Sequence, residues 1–149
     1  MPLRTQLATP ADLESILFLL GRLQLADPWE QPFDEKVVRA NLGELLQNAI
    51  YGGVYLVWDG PRPVAYLVVC FDFSLEYRGK GAWIDELFVE DEYRGQGIGS
   101  QLLDLAEDFA RQHGARTLHL EVNHSNPAIE LYRRRGFEKH DRYLMTKKL

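Results

Sequence analysis

A chain of 149 residues with 46% hydrophobic and 26% charged residues has the size and balance of one ordinary folded domain, which excludes a disordered or fibrous polymer. Its formal net charge of −5 argues against a surface built to neutralise nucleic-acid phosphates and in favour of cationic partners. The single cysteine, Cys70, sits in the apolar run Val68-Val69-Cys70-Phe71, so an intrachain disulfide is excluded and an inert, buried thiol is expected.

Residues Met1 to Thr5 lack the apolar core of a signal peptide, and no run of about 18 apolar residues occurs, so the expectation is a cytoplasmic chain with no membrane contact. Arg4 to Leu7 reads as a short strand. Thr9 can cap the next element and Pro10 suits the first turn of a helix whose apolar positions Leu13, Ile16, Leu17, Leu20 and Leu23 recur at helical spacing, stopping before Asp27-Pro28. Asp34 is placed to cap a second helix through Val37, Val38, Leu42, Leu45 and Leu46, ending near Gly52-Gly53.

From Val54 the period changes. Val54 to Trp58 and Pro63 to Val69 flank Asp59-Gly60-Pro61 as a β-hairpin. After the polar stretch Glu76 to Gly81, a strand from Ala82 to Val89 leads through a glycine-rich turn into a helix from Gly99 to His113 and a strand from Thr117 to Val122, the form of a βαβ unit. Asn126 to Arg134 reads as a short helix ended by Gly136, and Tyr143-Leu144-Met145 as the core of a last strand. With no internal repeat or linker, residues 1–149 are expected to form one α+β (mixed α/β) domain, a largely antiparallel sheet with helices on both faces.

The turn Tyr93-Arg94-Gly95-Gln96-Gly97-Ile98-Gly99-Ser100 follows the apolar strand end Leu87-Phe88-Val89. Its glycines let successive backbone N–H groups face one anion, and the helix N-terminus adds about half a positive charge, which together describe a diphosphate cradle. The dinucleotide pattern G-x-G-x-x-G and the nucleotide-binding Gly-Lys-Ser/Thr loop are both absent. Arg94-x-x-Gly97-x-Gly99 resembles the Arg/Gln-x-x-Gly-x-Gly/Ala signature of the GCN5-related N-acetyltransferase (GNAT) superfamily. The second block of that family has its counterpart in Asn126-Pro127-Ala128-Ile129-Glu130-Leu131-Tyr132 and the following Arg133-Arg134-Arg135-Gly136-Phe137.

The resemblance implies acetyl-CoA as cosubstrate, without a metal, on a sheet splayed at a cofactor slot. The amides of Gly95, Gln96, Gly97, Ile98, Gly99 and Ser100 would hold the pyrophosphate, with Arg94 closing one side. The backbone of Leu87, Phe88 and Val89 would pair with the pantetheine, and the Leu87 N–H would stabilise the oxyanion. Asn126 would bind pantetheine or cap its helix, and Arg133 to Arg135 would meet the CoA 3′-phosphate or line a solvated helix end. Tyr132, a phenol still protonated at neutral pH, would donate to the leaving thiolate. An ammonium acceptor must lose a proton before it attacks, and Asp85 or Glu86 would take it, directly or through water. Strand alternation sends these two carboxylates to opposite faces unless a bulge intervenes.

The histidines, His113, His119, His124 and His140, show no metal-ligand spacing. Carboxylates gather at Asp27, Glu30, Asp34 and Glu35 and again at Asp72, Glu76, Asp85 and Glu86, which favours a small cationic amine as acceptor. The Ile84 to Gly99 stretch is also similar to diamine and polyamine acetyltransferases. Peptide or protein amines satisfy the same charge argument, a sensor that binds acetyl-CoA without transfer stays open, and so does a homodimer.

Overall fold

Two apolar stripes, one on each side of a sheet, organise the chain. In the computed structural model, which describes residues 2–149, the elements are β1 (Arg4–Leu7), a 3-10 turn (Pro10–Asp12), α1 (Leu13–Ala26), α2 (Glu35–Gln47), β2 (Gly52–Asp59), β3 (Arg62–Ser74), β4 (Gly79–Val89), a 3-10 turn (Asp91–Tyr93), α3 (Ile98–Gln112), β5 (Leu118–Leu120) and α4 (Ile129–Arg134). The sheet runs β1-β2-β3-β4-β5, antiparallel through β4 and parallel only between β4 and β5. This is the expected α+β architecture.

Ile16, Leu19 and Leu20 of α1 and Leu42 of α2 pack on Val54, Leu56, Tyr66, Val68 and Phe88. On the opposite face, Ile98, Leu102, Leu103, Ala106 and Phe109 of α3 pack on Ala65, Leu67, Val69, Ala82, Ile84 and Val89. Helices therefore cover both faces, and the apolar surface each removes from water stabilises the fold by about 25 cal/mol per Å². The Asp34 side chain caps α2 as expected, accepting from the N–H groups of Lys36 at 3.0 Å and Val37 at 3.3 Å.

Several elements differ from the sequence expectation. α2 stops at Gln47, and Gly52-Gly53 belong to β2. Gly52 holds φ at +142°, and a Cβ there would lie 1.8 Å from the Val69 carbonyl oxygen, so these glycines serve strand approach and not a helix end. β3 and β4 run longer than their apolar cores because they pair with each other out to Ser74–Gly79, where Trp83 Nε1 donates to Asp72 at 3.0 Å and Lys80 lies over the Phe71 ring at 4.1 Å. β5 is cut to three residues. The expected strand at Tyr143-Leu144-Met145 is not formed, and Tyr143 and Met145 are 95% and 89% exposed. Its backbone finds no ladder partner, and what ties this end of the chain down is a two-pronged Arg142–Glu76 ion pair at 3.1 Å.

No helix among the described residues is long and apolar enough to cross a membrane.

Candidate active site

The centre of the site is an irregularity in β4. Val68 pairs with Glu86 but Val69 pairs with Ile84, so Asp85 is an extra residue on β4, a β-bulge. Parity changes across it. Ala82 and Ile84 before the bulge face α3, whereas Phe88 after it faces α1. The hydrogen bonds change hand in the same way: the Ala82 N–H donates towards β5, to the Thr117 carbonyl at 2.9 Å, and the Glu90 N–H donates towards β3, to the Val64 carbonyl at 2.9 Å. Alternation from Glu90 turns the N–H groups of Leu87 and Val89 away from β3.

On that side no strand lies among the described residues. Pairing of β4 with β5 ends at Ile84–Leu120, so β4 beyond the bulge has an open edge on which Leu87 and Val89 present their backbone groups. This is the splay expected of the sheet. The Arg94 side chain occupies one of these groups, its Nε donating to the Val89 carbonyl at 3.0 Å while its guanidinium pairs with Asp91.

The bulge also settles where the two carboxylates lie. Glu86 faces α1 and accepts from the Tyr66 hydroxyl at 2.6 Å. Asp85 acts on the same surroundings, since both carboxylates raise the Tyr66 phenol and the Cys70 thiol. Burial pushes the Glu86 carboxyl up to about 7, with Asp85 adding to the rise and the Tyr66 and Trp29 hydrogen bonds opposing it. Asp85 is exposed as a residue, yet partial burial of its carboxyl still raises it. Burial, then Asp85 and Glu86, push the Cys70 thiol up to about 11, which leaves it protonated and unreactive.

Of the remaining carboxylates grouped by sequence, several are engaged elsewhere. Asp34 caps α2, Glu35 pairs with Arg39, Asp72 takes the Trp83 indole and Glu76 pairs with Arg142. Asp27 and Glu30 are exposed at the α1–α2 connection, and Asp27 lines a cleft with Glu121, Val122, Asn123 and Asn126.

The glycine-rich turn ends at Gly97, the N-cap of α3, with φ 83° and ψ 2°; Gly95 is also left-handed, at φ 73°. A Cβ at either position meets nothing within 4 Å, so open space lies over the turn. The first backbone N–H groups of α3 have no helical partner and face outward beside it. Gln96 does not turn inwards: its side chain donates to the Glu92 carbonyl at 3.1 Å. Ile98 is buried under α3, and the Ser100 carbonyl accepts from Arg135, which also pairs with Asp104.

Asn126 makes a capping contact, its Oδ1 accepting from the Ala128 N–H at 2.9 Å, and α4 itself begins later than expected, at Ile129. Tyr132 on α4 is half-buried, packs edge-on against Phe137 at 5.9 Å, and burial raises its phenol. Leu131 beside it reaches Gly99 on α3, so α4 lies against the start of the glycine-rich helix. Arg133 and Arg134 are exposed.

Two features lay beyond sequence reasoning. Tyr66 reads as one more aromatic in an apolar strand, and only the β3–β4 register brings it to Glu86. Glu90, 2% exposed, takes a two-pronged contact from Arg22 of α1 at 3.1–3.3 Å, which anchors the start of the glycine-rich turn. Tyr93 adds a bond to Asp59 at 2.7 Å, and Arg62 one to Glu92 at 3.1 Å.

Comparison with known proteins supplies an independent line. The sequence profile of the acetyltransferase (GNAT) family matches residues 21–137. Aminoalkylphosphonate N-acetyltransferase of Salmonella typhimurium is 38% identical over 143 residues, 95% of this chain and 88% of the relative. Thialysine N-epsilon-acetyltransferase of Bos taurus is 35% identical over 79 residues, 52% of this chain and 46% of the relative. Several curated relatives are matched over less than half of their length, 33% to 46%. Among solved structures, one from Clostridium acetobutylicum, described as a predicted acetyltransferase with acetyl-CoA, superposes with a TM-score of 0.85 at 17% identity, covering 98% of this chain and 96% of the other. A profile spanning most of the chain and a relative matched almost end to end place this chain in the acetyltransferase (GNAT) family.

Proposed function

We propose that the chain is an acetyl-CoA-dependent N-acetyltransferase that passes the acetyl group directly to a primary amine, a small cationic one, in a ternary complex formed by residues 1–149 as one domain. The observation that carries this is the bulge at Asp85. It sets two carboxylates on the α1 side of the sheet and, in the same stroke, turns the Leu87 N–H to the open edge of β4.

The cosubstrate fits the residues present. Open space over Gly95 and Gly97, bounded by the unpaired amides of Gly97, Ile98, Gly99 and Ser100, suits a diphosphate, and the open edge at Leu87 and Val89, with the backbone of Phe88 between them turned to β3, suits an amide-bearing pantetheine arm. Gln96 contributes its backbone alone, and Arg94 braces the strand end. Asn126 serves as a cap before α4.

Glu86, poised near neutrality, takes a proton from the acceptor ammonium, while Asp85 supplies the standing negative charge that attracts it. The freed amine nitrogen adds to the thioester carbonyl, and the Leu87 N–H donates to the oxygen that gains charge, a contact typically worth roughly 2.7–4 kcal/mol. As the carbon–sulfur bond breaks, Tyr132 gives its phenolic proton to the departing thiolate. Its raised pKa keeps that proton in place until then. What supports this role is that α4, which carries Tyr132, lies against the start of α3 through Leu131.

The curated names speak of amine acceptors: thialysine in one relative, aminoalkylphosphonates in another. The second, matched over most of its length, supports an alternative acceptor, an amine that carries a phosphonate. Release of CoA from acetyl-CoA, followed across diamines, neutral amines and aminoalkylphosphonates, tests both. Diamines should turn over fastest, with a rate that falls as salt rises. Faster turnover of neutral or phosphonate amines, with no salt effect, overturns the cationic reading. Binding of acetyl-CoA with no release for any amine identifies a sensor.

A further inference from the structure

Beneath the acceptor side of the sheet lies a group that the reaction outlined above does not use. Tyr66 is fully buried, its ring 6.0 Å from that of Phe88, and its hydroxyl reaches Glu86 Oε2 at 2.6 Å. In the β3–β4 register Tyr66 pairs with Phe88 and Val68 with Glu86, so the two are diagonal neighbours on one face. That proximity depends on the bulge. Were β4 to alternate regularly from Ile84 through Asp85, Glu86 would fall on the α3 face, and Tyr66 would end in the core with no partner for its hydroxyl.

We propose that Tyr66 is a positioning residue that fixes the Glu86 carboxylate at the β4 bulge and acts on amine deprotonation only through Glu86. This rests on Glu86 being the base. The arrangement is directional: the phenol is held protonated by burial and by the carboxylates beside it, so the hydroxyl donates and Glu86 accepts. A donated hydrogen bond favours the charged carboxylate and keeps it available as a base near neutral pH, against the desolvation that would protonate it. It also confines the carboxylate to one orientation, with the hydroxyl on Oε2.

The other groups that bear on Glu86 are few. Asp85 on its own strand raises it, the Trp29 indole from the α1–α2 connection lowers it, and Cys70 on β3 is neutral. The α1 and α2 side chains of this core, Ile16, Leu20 and Leu42 among them, carry no charge. Tyr66 is thus the fixed hydrogen-bond partner from within the sheet.

The test is the pH profile of kcat/KM for wild type, Tyr66→Phe, Glu86→Gln and the double variant, alongside acetyl-CoA affinity and the unfolding midpoint. Tyr66→Phe should move the acid limb up by about one pH unit, so that kcat/KM at pH 7 falls about fivefold while acetyl-CoA affinity is unchanged. In the Glu86→Gln background the same substitution should change nothing further. An acid limb that stays in place in folded Tyr66→Phe overturns the proposal, as does an equal loss in both backgrounds, which marks a purely structural role. Retention of the limb by Glu86→Gln overturns the base assignment itself and the inference with it. Should Tyr66→Phe not fold, wild-type protein carries the test: the Tyr66 hydroxyl proton should appear far downfield and titrate together with the acid limb, and a signal unchanged across that range refutes the contact.

Discussion

Gly97 stands at the N-cap of α3 with φ at 83°, and a Cβ built there meets nothing within 4 Å. Substitution therefore has two separable effects. Any L-residue takes on left-handed strain of about 1–2 kcal/mol, with no clash to add to it. Aspartate also places a charge where the diphosphate would sit. At about 5 Å and an effective dielectric constant of about 20–80, each unit of like charge opposes binding by roughly 1–3 kcal/mol. Gly97→Ala should thus lose stability with little change in acetyl-CoA affinity, and Gly97→Asp should weaken affinity about 5- to 200-fold beyond Gly97→Ala. Titration calorimetry on both variants, after circular dichroism shows them folded, reads the difference directly. The gap should narrow at high salt, because the added term is coulombic and solvent reaches the turn. Affinities that agree within threefold in the two variants would refute the diphosphate assignment.

Tyr132→Phe removes one oxygen from a half-buried ring, so stability and acetyl-CoA affinity should hold while kcat falls by roughly 10²-fold, the low end for a general acid because a thiolate is weakly basic; kcat above half of wild type over pH 6–10 assigns Tyr132 to packing. Glu86 gives a second signature, in stability. Its carboxyl is raised in the folded state, so the protonated form contributes stability that is present below the unfolded pKa, near 4.5, and is lost as pH rises through about 7. Glu86→Gln should consequently gain roughly 2–3 kcal/mol relative to wild type between pH 5 and pH 8 in urea unfolding; a difference that is the same at both pH values contradicts a raised carboxyl.

What the sequence made legible follows from the range over which each signal acts. The Asp34 cap and the apolar spacing of α1 are decided within a few residues, and both stand where expected. The glycine-rich turn is equally local. The bulge at Asp85 is not, because it exists only as a mismatch of count between β3 and β4, and no property of β4 alone announces it. Tyr66 and Glu90 give no local signal for the same reason: their partners, Glu86 and Arg22, lie 20 and 68 residues away. Tyr143-Leu144-Met145 erred in the opposite sense. Its composition suits a strand, but a strand needs a neighbour, and composition does not supply one.

The open edge of β4 has a consequence for how such a chain tolerates change. A binding wall made of peptide groups is indifferent to which side chains the strand carries, provided the backbone stays extended and switches parity at one place. Leu87, Phe88 and Val89 can then be chosen by the cores on either face, and the turn after them asks chiefly for residues that leave space over the chain. A fold with these requirements can drift a long way in composition while keeping its shape, as the TM-score of 0.85 at 17% identity illustrates. On the proposed function, the choice of acceptor falls instead to the other side of the sheet, where Asp85 and the connection between α1 and α2 meet solvent above the partly buried Glu86, and there an exchanged side chain should count for more.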